Sequence, residues 1–165
     1  MIDIYVFLKN NNINYERFDH PAVFTCEDAQ RLCPAMPGEE IKNLFIYDKR
    51  SEHLFLVVVG ANKRVDLKKL KEMLGTSNLS FCSEERLKKY LGVEPGSVTI
   101  LGLVYDVEHE VSVIFDEQLN GRSLQCHPLI NTSTLVIKFQ DIERFLRATG
   151  HSYQYLGIPE RLQVF

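Results

Sequence analysis

Three residues stand out by type and setting. Lys42 lies inside the β-rich run IKNLFIYD, between Ile41 and Leu44. A long cation there points either to solvent or into a cleft where it meets an anion, and the residues alone leave both open. His127 lies between Cys126 and Pro128 in an apolar stretch, read as a strand, that the proline holds extended. An imidazole in that place is either a satisfied structural group or one that handles protons. Gly96 follows Pro95 in a turn, where its plain role is to permit the turn. Taken singly, none of the three establishes a function.

Most of the usual signatures are missing. The sequence has no GxxxxGK(S/T), GxGxxG, HExxH or GxSxG pattern and no EF-hand loop, which excludes most hydrolase and nucleotide-binding classes. His20, His53, His109, His127 and His151 are widely separated, and Cys26, Cys33, Cys82 and Cys126 never form CxxC. Neither a metal centre nor a disulfide framework is indicated, no cofactor is called for, and the cysteines are expected to be reduced and mostly buried.

The 165 residues, 45% hydrophobic and 25% charged, suit one α/β domain spanning 1–165. The opening MIDIYVFLKNNN lacks the basic start and cleavage site of a signal peptide, and no apolar run approaches the roughly 20 residues that span a bilayer. A cytoplasmic protein without membrane attachment is expected. The net charge of −3 argues against coating nucleic acid by bulk attraction. Lys63, Arg64, Lys68, Lys69, Lys71, Lys88 and Lys89 nevertheless gather as solvated helix faces or as a phosphate-binding patch.

The elements that must position these residues follow from patterning. A short helix is expected over residues 2–9 and a strand over 13–18, ended by His20-Pro21. Thr25 opens a helix that Pro34 stops. IKNLFIYD and LFLVVVG read as a hairpin whose second strand is central. Asp66 and Ser83 cap the helices LKKLKEML and EERLKKYL. SVTILGLVYD, EVSVIFD, SLQCHPLI and STLVIKF read as β-rich, and DIERFLRAT as helical. Strands outnumber the helices available for crossovers, so a mixed sheet is expected rather than a doubly wound parallel one.

Five blocks in order, DHPAVFT (19–25), GEEIKNLFIYD (38–48), FLVVVGANKRVDLKKL (55–70), EERLKKYLGVEPGSVTILGL (84–103) and CHPLINTSTLVIKF (126–139), resemble the YbaK/prolyl-tRNA synthetase-associated domain. The resemblance is nearest to the free-standing branch that deacylates alanyl-tRNA charged for proline. It implies a mixed sheet rolled into a partial barrel surrounded by helices, and hydrolysis of the ester of mischarged proline tRNA. Cysteinyl- or seryl-tRNA deacylation and non-catalytic tRNA binding are the alternatives. Its partners would be the acceptor end of the tRNA and, as a candidate, prolyl-tRNA synthetase.

Carried across, the family's lysine falls on Lys42 with Asn43 beside it, the glycine of its GxxxP loop on Gly96, and its histidine on His127. Ile100 stands at that loop's proline position and Leu101 at the following aromatic. Lys42, Gly96 and His127 are thus expected to act on the ester: Lys42 holding the terminal phosphate, the Gly96 N–H polarising the carbonyl, and His127 orienting the aminoacyl end. Thr25, Asn43, Val58, Gly60 and Ile100 are expected around the substrate.

Overall fold

The computed structural model describes residues 1–162. These form one eight-stranded mixed sheet in the order β1-β7-β6-β2-β3-β5-β8, with β4 added beside β2. The strands are β1 (Glu16–Asp19), β2 (Glu39–Asp48), β3 (Leu54–Gly60), β4 (Leu79–Phe81), β5 (Val111–Asp116), β6 (Leu124–Cys126), β7 (Ser133–Ile137) and β8 (Tyr153–Leu156). The β2/β3 pair is the expected hairpin, and β3 is central, flanked antiparallel by β2 and parallel by β5. The mixed sheet is as anticipated, and it stays open: β1 and β8 do not pair.

Helices α1 (Ile4–Asn10), α2 (Cys26–Leu32), α3 (Leu67–Met73), α4 (Glu84–Leu91) and α5 (Phe139–Thr149) surround the sheet. Local chemistry starts four of them, since the side chains of Asp3, Thr25, Asp66 and Ser83 each accept from backbone N–H groups of the first turn. Because side chains alternate along a strand, β2 and β3 bury residues on both faces. Phe45, Leu56 and Val58 pack with Leu8, Leu87, Leu91, Ile142 and Phe145 on one face; Ile46, Val57 and Val59 pack with Leu70 and Ile158 on the other.

The run ILGLVY departs from expectation. It forms a 3₁₀ helix, Ile100–Tyr105, rather than a strand. Thr99 starts it by accepting from the Leu101 N–H, and the 3₁₀ segment then lies against α4 so closely that a Cβ on Gly102 would sit 2.6 Å from the Leu91 carbonyl oxygen. An apolar run buried on all sides has no period to betray it as helical. The short β4 and β8, and the strand end at Cys126, are likewise not marked by pattern; His127 lies just beyond β6 rather than inside it. Of the four thiols only Cys126 is buried, the other three being partly exposed, and all are free. Among the described residues no helix is long and apolar enough to cross a membrane.

Candidate active site

The sheet breaks along one edge of β2. Glu39 and Glu40 pair there with β6, and Ile46 to Asp48 with β4, the Cys82 N–H extending that contact to the Phe45 carbonyl at 2.9 Å. Nothing pairs residues 41–44 on that side among the described residues. The hydrogen bond from the Ala61 N–H to the Glu40 carbonyl sets the alternation: even-numbered residues of β2 bond to β3, and odd-numbered ones direct N–H and C=O to the opposite edge. Asn43 therefore presents its main chain to the gap.

A cavity of about 260 Å³ opens at this gap, lined in part by Thr25, Lys42, Asn43, Gly96 and His127. Five of the eight residues singled out from the sequence thus meet at one place. Val58, Gly60 and Ile100 do not line it. Val58 stands opposite Asn43 across the hairpin and Ile100 lies in the 3₁₀ helix, both fully buried, and Gly60 is the register partner of Ile41. The apolar wall comes instead from Val23, Phe24, Met36 and Val98. A larger depression of about 890 Å³, beside α1 and Arg144, contains none of the eight.

Glu94 to Ser97 form a turn closed by the Ser97 N–H on the Glu94 carbonyl at 3.1 Å, with Pro95 and then Gly96 at its centre. Gly96 has φ +86°, the left-handed value a type II turn requires at that position, and its N–H makes no hydrogen bond among the described residues. His127 places Nδ1 3.4 Å from the Ser133 carbonyl, so Nδ1 carries the proton and Nε2 keeps a lone pair with no protein partner among the described residues. Burial lowers its pKa, outweighing the Ser133 contact, and nearby His20 lowers it further. The ring is neutral at physiological pH.

The thiols are unsuited to attack. Cys126 faces the core, with burial pushing it up to about 12, and the cavity-lining Cys26 and Cys33 are also raised, by burial first and then by Glu40. A thiolate nucleophile is therefore disfavoured on every candidate sulfur. Of the basic cluster, Lys63 is turned inward: its ammonium lies 2.6 Å from Asp116 and 2.8 Å from the Ile158 carbonyl. Lys42, by contrast, belongs to none of the ion pairs among the described residues. It also borders a second groove with Arg64, Phe81 and Arg161.

An open mixed sheet with a small cavity at an edge break, lined by Lys42, the neutral imidazole of His127 and Gly96, whose N–H is unbonded among the described residues, defines the class of this α/β domain. The chain belongs to the aminoacyl-tRNA editing domain family, which matches residues 20–145. It is 36% identical over 147 residues to the prolyl-tRNA editing protein ProX of Acetoanaerobium sticklandii, covering 88% of this chain and 90% of that one. It is 37% identical over 149 residues to the prolyl-tRNA synthetase associated domain-containing protein 1 of Danio rerio, covering 88% and 80%. The fold is shared with a crystal structure described as a candidate trans-editing enzyme for prolyl-tRNA synthetase, at TM-score 0.66 and 19% identity over 92% of each chain.

Proposed function

We propose that this protein is a trans-editing aminoacyl-tRNA deacylase that hydrolyses the ester of mischarged proline tRNA in the cytoplasm, with alanine as the preferred acyl group. The observation that carries the reading is the convergence of Lys42, Asn43, Gly96 and His127 on one 260 Å³ cavity. Ligand sites for drug-sized molecules run to about 300–1,000 Å³, so this space suits an aminoacyl group and not a whole nucleotide.

The ester is already activated, so positioning and carbonyl polarisation supply most of the rate. The Gly96 N–H binds the carbonyl oxygen as negative charge develops on it. In place of the orienting role implied by the resemblance, His127, with Nδ1 turned to Ser133 and the Nε2 lone pair free, holds the water that attacks the carbonyl carbon and takes its proton. Collapse of the tetrahedral intermediate breaks the bond to the ribose oxygen, which receives that proton, leaving free amino acid and tRNA. Lys42, at the mouth between the cavity and the groove of Arg64, Phe81 and Arg161, holds the terminal phosphate, and the groove takes the unpaired 3′ end by charge and stacking.

Proline is bulkier than alanine, and the wall of Val23, Met36 and Val98 excludes it by overlap, as a second sieve must. Measuring kcat/KM on proline tRNA carrying alanine, serine, cysteine or proline tests the proposal. Alanine should be cleaved best and proline spared. Comparable cleavage of the prolyl form would end the editing reading; preference for serine or cysteine would reassign the substrate; binding without release would identify a tRNA-binding module.

A further inference from the structure

Two residues that line the cavity carry an enclosed hydrogen-bond acceptor that the protein leaves without a donor. Oε1 of Glu40 and Oδ1 of Asn43 are both closed off from solvent, neither has a partner, and both residues line the same space. Buried polar atoms are nearly always paired, so two orphans in one cavity point to a ligand that brings donors. The other enclosed orphans, Tyr5 Oη and Ser80 Oγ, lie outside this cavity.

Glu40 is the more informative of the two. It stands where β2 leaves its pairing with Gln125 of β6, at the start of the unpaired edge. No ion pair among the described residues neutralises it, although Lys42 is two residues away. One oxygen of this carboxylate is enclosed while the residue stays half-buried, and taking part of an anion out of water without a counter-ion is costly unless a cation arrives. Burial raises its pKa, and a bound cation would reverse that by favouring the charged form.

Resting on the deacylase reading, we propose that Glu40 is the receptor for the α-ammonium group of the aminoacyl ester, while Oδ1 of Asn43 accepts a second donor of the same ligand. The α-ammonium is the one cation fixed two bonds from the ester carbonyl, in a cavity too small for much else. Glu40 thereby makes the enzyme selective for esters of free amino acids over N-acylated or α-hydroxy esters. It is a specificity residue and takes no part in proton transfer at the carbonyl.

The test compares alanyl-tRNA with lactyl-tRNA, an isosteric ester whose α-substituent is a neutral hydroxyl, in wild type and Glu40→Gln. Because intrinsic ester reactivity cancels between enzymes, the informative quantity is the change in the alanyl-to-lactyl ratio of kcat/KM. Glu40→Gln should lower that ratio on the order of tenfold or more, by impairing alanyl cleavage while lactyl cleavage is retained. A ratio unchanged by the substitution overturns this assignment alone. Wild-type protein that cleaves neither ester overturns the deacylase reading and this assignment with it. A measurement independent of any variant uses non-hydrolysable amide-linked 3′-alanylamino-adenosine and its lactyl counterpart as inhibitors of the wild type. The alanyl compound should inhibit more strongly; equal inhibition overturns the assignment.

Discussion

The hydroxyl of Thr99 donates to the carbonyl oxygen of His127 at 2.7 Å while accepting from the Leu101 N–H. Thr99 is fully buried, so one side chain ties the turn that carries Gly96 to the residue that carries the imidazole. The two halves of the proposed machinery, 31 positions apart in the chain, are held in register by this bond.

Thr99→Val should therefore remove two hydrogen bonds at nearly constant volume and leave the His127 carbonyl without its donor. The expected cost is about 1–3 kcal/mol of stability, read as a fall of several degrees in Tm. Deacylation per folded molecule should also fall, and Thr99→Ser should recover both. Normal activity in folded Thr99→Val would separate the two halves of the site.

For His127 the sign follows from its lowered pKa. The lone pair on Nε2 persists until the pH falls below the ordinary value of 6.5, so the acid limb of kcat/KM should lie below 6.5 and disappear in His127→Gln. The unfolded chain accepts the proton first, so stability should decline as pH falls from about 6.5 towards the folded value, in wild type more than in the variant. An acid limb above 6.5 would remove His127 from the proton-transfer role.

Lys42 and Arg64 share the groove that carries Phe81. Replacing either with alanine should weaken tRNA binding and reduce the slope of log affinity against log salt by about 0.7–0.9 for each phosphate that is no longer neutralised. Lys42→Ala should lower kcat/KM as well, because it also lines the cavity. A slope unchanged in both variants would place the phosphates elsewhere.

Lys63 should behave differently from its neighbours in sequence. Its side chain is 10% exposed and that of Asp116 1%. Lys63→Met should strand a buried carboxylate and cost about 3–5 kcal/mol, measured by denaturant unfolding. The salt dependence of tRNA binding, measured where the variant is folded, should be unchanged; a reduced slope would return Lys63 to the RNA-facing patch.

Local chemistry was legible in the chain itself. The hairpin of β2 and β3, and the starts of α2, α3 and α4 at Thr25, Asp66 and Ser83, depend on neighbours within a few residues and could be read directly. The matching blocks likewise marked Lys42, Asn43, Gly96 and His127, and indicated the family, because chemistry of that kind is written in residue type and order. Tertiary structure decided what depends on distant partners. ILGLVY forms a 3₁₀ helix packed against Leu91 rather than a strand, and Lys63 faces Asp116, more than fifty residues away, rather than solvent. The parallel pairing of β6 with only the first two residues of β2 left the edge gap, set His127 and Lys42 around one cavity, and left Oε1 of Glu40 enclosed without a partner. Hydrophobic pattern specifies which residues are buried but not against what, so the cavity and its unpaired acceptors exist only once the sheet is assembled.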